Sequence, residues 1–413
     1  MPLPLAYACD STAALVHTNE SKSVLIIAGE ASADLHGALV LRALHKIQPQ
    51  INVFGIGGNL MCEAGLNAIA KAEDISVGGF TEVIFAIPRI FGILRRITNA
   101  AAINKPNVAV LIDLPDFNLR LASRLKRLRI PIIYYISPQL WAWRPKRVAQ
   151  IRKLVDRMLV ILPFEEEFYR QHNVVAEFVG HPLVEELPLP SDHQTSRKTL
   201  DMDANSEQVI ALLPGSRKQE VTRHLPIMLE GLNLLQQQQP DLQALIPIAS
   251  TIPRSLVEAI LIRSGAKAKL LDGQASTAIS AADVAVVCSG TATLQTALLL
   301  RPMVVVYRVS WLTYHILKRL IRVAHIALVN LIAGKPLVTE LIQHTFTPHS
   351  MAAELQHLLT DANARRQQEN ELAAIRAKLG EHGAAQRVAE VIGEYLNSNQ
   401  ISIINVKNGE SHA

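Results

Sequence analysis

Two short runs in the second half of the chain, LPGSR at 213–217 and SGTAT at 289–293, set glycine beside small hydroxyl residues where an apolar stretch gives way to helical spacing. Glycine lets a ligand come close to the backbone. The free N–H groups and dipole of a helix start favour phosphate. Gly215, Ser216 and Arg217 in the first run, and Ser289, Gly290 and Thr291 in the second, are therefore candidate diphosphate ligands. Arg217 would serve as a permanently charged, bidentate clamp. Either run alone reads equally well as a tight turn with a hydroxyl cap; the pair within one half of the chain points to a nucleotide phosphate. A second group is acidic. Glu30, Ser32 and Asp34 follow the first apolar run, and Asp113 and Asp116 follow VAVLI at 108–112. A carboxylate so placed can take the proton of an acceptor hydroxyl. Asp113 is the first candidate base and Glu30 the second, whereas Asp34 and Asp116 read better as helix caps.

These residues need strands to carry them. Apolar β-branched runs at 23–27, 52–54, 108–112, 131–136 and 158–162 alternate with helical spacing at 33–46, 119–128 and 165–172. The pattern restarts with runs at 209–213, 242–248, 267–271, 284–287 and 303–307. Strands alternating with helices predict an α/β fold with parallel sheets, and ligands of such sheets sit at the carboxyl ends of the strands. A length of 413 residues suits two domains. The expected division is a leader at 1–20, a first domain at 21–190, a second at 200–350, terminal helices at 351–397 that pack back toward the first domain, and a tail at 398–413. The stretch 187–198 (LPLPSDHQTSRK) is the expected linker.

Composition excludes several classes. Hydrophobic residues make up 49% and charged residues 19%, enough for a sizeable core. The net charge of +5 suits an anionic ligand or surface, but no basic tract interleaved with aromatics predicts nucleic-acid binding. Cys9, Cys62 and Cys288 form neither a CxxC pair nor a zinc pattern, and the histidines show no metal-ligand spacing. Neither GEAS nor GIGG completes a dinucleotide fingerprint. No run is long enough to span a bilayer, and the start lacks the features of a signal peptide, so a cytoplasmic location is expected. Two apolar stretches carry basic residues. The segment 78–96 holds Phe80, Ile84, Phe85, Arg89, Phe91, Arg95 and Arg96, and the segment 314–326 holds Lys318, Arg319 and Arg322. Each reads as a membrane-surface or acyl-chain face, or, for 78–96, as a core helix pair broken at Pro88. Trp141 and Trp143 lie in a loop at a carboxyl strand end.

In order along the chain stand AGEASADLHG, GIGG, VGGFTEV, LIDLPDFN, YYISPQLWAWRPKR, ILPFEEEFY, FVGHPL, LLPGSR, CSGTATLQ and NLIAGKPLVTELIQ. This series resembles the bacterial lipid-A-disaccharide synthases. The resemblance implies a GT-B fold, two Rossmann-like domains with parallel sheets facing an interdomain cleft. The first domain takes the acceptor and the second the UDP-sugar. It implies inverting, metal-independent transfer of 2,3-diacylglucosamine from its UDP derivative to 2,3-diacylglucosamine 1-phosphate (lipid X), with no cofactor. It also implies work at the cytoplasmic face of the inner membrane, and some family members form homodimers. By motif, Glu30, Ser32 and Asp113 match catalytic positions, and Arg217 and Asn330 match donor-binding ones. The chain departs from the family at Ala33, where glycine is usual, at Val329, where proline is common, and at Gln295, where a glutamate usually binds ribose hydroxyls. Glutamine still accepts one hydrogen bond there, without the charge. Two alternatives stay open on the residues alone: another GT-B activity on UDP-N-acetylglucosamine, such as a 2-epimerase or a soluble-acceptor transferase, and an inactive lipid-binding relative.

Overall fold

The computed structural model describes residues 22–75, 80–143, 147–187, 193–202, 208–320 and 323–408. The expected leader, residues 188–192 of the expected linker, Arg322, and residues 409–413 of the expected tail lie outside them, as do the side chains of Phe80, Ile84, Phe85, Trp143 and Arg319.

Among the described residues, thirteen strands build two sheets. They are β1 (Ser23–Ala28), β2 (Asn52–Gly57), β3 (Asn67–Lys71), β4 (Val108–Ile112), β5 (Ile132–Tyr135), β6 (Arg157–Val160) and β7 (Ala176–Phe178), then β8 (Val209–Leu213), β9 (Gln243–Ile248), β10 (Lys269–Asp272), β11 (Val284–Cys288), β12 (Met303–Tyr307) and β13 (Glu340–Ile342). The first sheet runs β3-β2-β1-β4-β5-β6-β7 and the second β10-β9-β8-β11-β12-β13. Every pairing is parallel. In both, the strand order reverses beside the first strand of the half, opening a crevice at the carboxyl ends of β1 and β4 and of β8 and β11.

The central strands are apolar throughout because helices cover both faces. Along β1, Leu25 and Ile27 enter one core layer, while Val24, Ile26 and Ala28 enter the other. Along β8, Val209, Ala211 and Leu213 face one layer, and Ile210 and Leu212 the opposite one. Each fully buried Val, Leu or Ile of this kind contributes about 1.5–3 kcal/mol relative to exposure, so strand register is strongly fixed.

The expected linker needs correction. His193–Thr199 is a helix bound to the second half. Arg197, 6% exposed, donates from Nε to the Ala281 carbonyl (3.0 Å) and from Nη2 to Asp283 (2.8 Å). Asp283 also accepts the Val209 amide at 2.7 Å, so this paired, buried charge ties the segment to the start of β8. Of the terminal helices, Pro348–Thr360 packs on Lys218–Gln238, and Ala362–Lys378 packs on Thr291–Leu298, both in the second half. Only Ala384–Asn408 returns to the first half, where Val388, Ile392 and Leu396 join Val40, Leu41 and Leu44 of the helix Ala31–Ile47.

Candidate active site

The second sheet's crevice holds both glycine junctions. Gly215 follows β8 with φ 121°, and Gly290 follows β11 with φ 153° and ψ −160°, backbone that only glycine adopts freely. A Cβ built on Gly290 meets nothing within 4 Å, so glycine is needed there for the turn and for open access, not for packing. The helix Thr291–Leu298 begins at Gly290 with no side-chain cap, leaving its first amides for a ligand.

The first junction is already capped, which corrects the expectation that Ser216 offers a free amide. The Glu220 carboxylate accepts the Ser216 amide (3.1 Å) and the Arg217 amide (3.2 Å). A helix start attracts an anion, and here the anion is the chain's own. Arg217 remains the exposed cation of the junction: its side chain is 82% exposed and pairs with Glu220 at 3.1 Å. His224, fully buried, sits behind it and bridges the Pro214 carbonyl (2.9 Å) to the backbone of Arg308. Burial lowers its pKa, so it is neutral and structural.

These residues line a cavity of about 1470 Å³ that includes Gly215, Ser216, Arg217, Ser289, Gly290, Thr291 and Gln295. Gln295 donates from Nε2 to Ser276 Oγ at 3.0 Å, which turns its amide oxygen into the remaining acceptor. Asn330 does not line the cavity. It is fully buried, accepts the amides of Leu337 and Val338 (both 2.9 Å), and donates to the Val338 carbonyl (2.9 Å) and to Glu340 (2.8 Å). Glu340 does line the cavity and also accepts the amides of Ile326 and Ala327. Asn330 therefore bears on the cavity only by holding Glu340 and its loop, a correction to direct donor contact.

The first half reaches the cavity through Gln139, Trp141 and Ala142, just beyond β5. Asp113, Glu30 and Ser32 are not among the lining residues. They stand at the first sheet's own crevice, Glu30 two residues past β1 and Asp113 directly after β4, with Ala28 opposite Ile112 in register. Glu30 and Ser32 are exposed and Asp113 is half-buried. Asp113 and Leu114 both have left-handed backbone, φ 47° and 43°. Two consecutive non-glycine residues in that region cost on the order of 1–3 kcal/mol each, and Tyr134 Oη and Asn118 Nδ2 hold the turn by donating to the Asp113 carbonyl. Burial first, and then the neighbouring Glu30 charge, push the Asp113 carboxyl up to about 6. That value poises a carboxylate to take protons near neutral pH. Asp34 is a cap, but of the helix Asn59–Glu63: it accepts the amides of Gly58, Leu60 and Met61. Asp116 lies in the first turn of Pro115–Arg127 and pairs with Arg147 at 3.0 Å.

The apolar-basic segment 78–96 falls mostly on one helix, Phe80–Asn104, which continues through Pro88 instead of forming a pair. Ile93, Leu94 and Ile97 are buried, while Ile87 (43%) and Phe91 (44%) are exposed beside exposed Arg89, Arg95 and Arg96. The Arg120 guanidinium lies 5.6 Å from the Phe91 ring centre. Among the described residues no helix is long and apolar enough to cross a membrane.

Comparison with known proteins fits this architecture. The family model for lipid-A-disaccharide synthetase matches residues 24–392. Lipid-A-disaccharide synthase of Anaeromyxobacter sp. (strain K) is 50% identical over 370 residues, 89% of this chain and 96% of that protein. The Myxococcus xanthus (strain DK1622) enzyme is 45% identical over 373 residues, 90% and 97% respectively. Among solved structures, a UDP-GlcNAc 2-epimerase from Neisseria meningitidis bound to UDP-GlcNAc superposes with a TM-score of 0.63 at 12% identity, covering 90% of this chain and 100% of that one. Acinetobacter baumannii MurG gives 0.56 at 14% identity, covering 90% and 99%. These distant likenesses establish the fold as GT-B; the close relatives and the family model establish more, and the chain belongs to the lipid-A-disaccharide synthetase family.

Proposed function

We propose that the two sheet crevices divide the labour of one inverting transfer, the second holding UDP and the first activating the acceptor. The chain is a glycosyltransferase that joins 2,3-diacylglucosamine, carried by UDP, to lipid X, releasing UDP and the β-1,6 disaccharide 1-phosphate. The 6-hydroxyl oxygen of the acceptor attacks the donor's anomeric carbon as the bond from that carbon to the diphosphate oxygen breaks. Asp113 takes the hydroxyl proton, with Glu30 near enough to act on its charge and Ser32 in the first helical turn that follows the same strand as Glu30. Charge growing on the departing diphosphate is met by the uncapped amides after Gly290 and by the Arg217 guanidinium. The single observation that carries this reading is the placement of Asp113 and of Gly290 at corresponding switch points of two parallel sheets. Mass spectrometry of products from the two acylated glucosamines, without added metal, tests it. A disaccharide monophosphate is expected; recovery of unreacted substrates, or of an epimerised donor, would overturn it.

The raised Asp113 pKa gives the reaction an acid limb. Below about pH 6 the base is protonated and kcat/KM falls. Glu30→Gln removes a negative neighbour, so the Asp113 pKa drops and the limb moves to lower pH, as a pH–rate profile would record. An unmoved limb would separate Glu30 from Asp113.

Gln295 faces the donor through its amide oxygen. Gln295→Glu supplies a charged acceptor in its place, and charge-assisted bonds are stronger by about 1 kcal/mol. Donor KM is expected to fall by roughly fivefold, read from initial rates at saturating acceptor.

The exposed Ile87–Phe91 turn with Arg89, Arg95 and Arg96 suits the cytoplasmic face of an inner membrane, where acylated substrates reside. Phe91→Ser is expected to reduce sedimentation with anionic phospholipid vesicles while leaving the far-UV spectrum intact. A homodimer, found in parts of the family, is tested by sedimentation equilibrium.

A further inference from the structure

The first half's wall of the donor cavity is fastened from behind by a carboxylate that the transfer itself does not use. Glu165 lies in the first turn of Pro163–Gln171 and is 1% exposed. Its Oε1 accepts Ser137 Oγ at 2.9 Å and Trp141 Nε1 at 3.0 Å, and its Oε2 accepts the Leu162 amide at 3.1 Å. Tyr169 Oη donates in turn to Ser137 Oγ at 3.1 Å. Among the described residues no arginine or lysine is bonded to it, and burial pushes its carboxyl up to about 7. Such a group is costly to bury, and an apolar residue of similar volume would fill the space at less expense. What the carboxylate adds is direction, because it fixes one edge of the Trp141 ring.

Trp141 is where that direction matters. Its half-buried indole lines the donor cavity, meets Phe164 edge-on at 5.0 Å, and packs against an apolar layer in which Leu162 and Val184 of the first half join residues of the second. The ring is therefore held by a hydrogen bond, an aromatic edge and that shared apolar layer, and it lines the cavity together with Leu328 and Leu331.

We propose that Glu165 is a positioning residue for glycosyl transfer, holding the Trp141 indole as the wall against which the acylated sugar of the donor packs. This rests on the donor occupying the cavity as described above. It places the effect on the sugar and not on UDP, which the second half binds.

Kinetics of the full chain with UDP-2,3-diacylglucosamine and lipid X test it, with UDP as a product inhibitor. Glu165→Leu is expected to raise donor KM by about tenfold, the usual consequence of leaving a buried N–H without its acceptor. The inhibition constant for UDP and the KM for lipid X stay within twofold. Glu165→Gln keeps an oxygen for Trp141 and restores donor KM to near the parent value. Trp141→Phe keeps an aromatic ring but loses the pyrrole ring and its N–H, so it raises donor KM in the same direction. In the double variant Glu165→Leu with Trp141→Phe the two effects do not multiply, since both remove one interaction. A folded Glu165→Leu protein with parent donor KM and only a lowered Tm overturns the proposal, as does a parallel rise in the UDP constant. Should Glu165→Leu not fold, Trp141→Phe with parent donor KM overturns it alone. A parent chain that forms no disaccharide would instead sink the functional reading, a result distinct from any of these.

Discussion

Asp113→Asn should lower kcat by about 10²–10⁴-fold, the usual contribution of a positioned general base, with the fold and UDP affinity intact. The substitution is well suited to the question. Asparagine matches aspartate in shape and tolerates left-handed backbone better than most residues, so the φ of 47° at this position is kept. The bonds from Tyr134 and Asn118 go to the backbone carbonyl and do not depend on the side chain. What is lost is the capacity to take a proton, together with the negative charge beside Glu30. Turnover of the acylated pair, followed by mass spectrometry, measures the effect. A variant that turns over at close to the parent rate would show that the acceptor hydroxyl loses its proton elsewhere.

Arg217→Ala is expected to reduce kcat by about 10²–10³-fold, the range seen when one preorganised donor to a developing charge is removed. The guanidinium is 82% exposed and its pair with Glu220 is a surface pair, so stability changes little. The catalytic loss is larger because Glu220 stays behind, an anion that keeps two backbone amides but has lost the guanidinium paired with it. Arg217→Lys should recover part of the loss, retaining the charge without the bidentate fork. Parallel measurement of kcat and of UDP inhibition separates charge stabilisation from ground-state binding. An unchanged kcat at saturating donor would take Arg217 out of the chemical step.

The parts of this molecule that were legible in its sequence are those where one physical demand dominates. Strands buried on both faces need uninterrupted apolar residues, and β4, β8 and β12 stand where VAVLI, VIALL and MVVVY predict. The edge strands β3, β7 and β13 are short and half-exposed, so no apolar run announced them. The glycine junctions were legible because a strand, a turn and a helix start must follow one another within a few residues. Which of the two was free for a ligand was not legible as read: Glu220, three residues beyond Arg217, takes the first set of amides, although its capping-box spacing was visible in the sequence. Asn330 was placed at the donor by motif, and only the packing of residues 326–340 reveals that its side chain is spent on the Leu337–Val338 amides and Glu340. Glu165 and Trp141 are 24 residues apart and meet only because β5 and β6 are neighbours. The spacing of ILPFEEEFY showed an acidic run at a helix start but not which carboxylate turned inward.

The closing helix, Ala384–Asn408, leaves a mark on the order in which the chain acquires structure. During synthesis the first sheet and the helix Ala31–Ile47 leave the ribosome long before residues 388–396 exist. Until then Val40, Leu41 and Leu44 lack the neighbours that later shield them, and the nascent first half carries an open apolar seam of the kind that invites aggregation or chaperone capture. Arg387, which donates to the Val179 carbonyl at 2.8 Å, and the Gly383 amide, which donates to Glu185 at 2.7 Å, fasten the seam only once they have been made, some 200 residues after their partners. The half that is made first is thus the half that matures last.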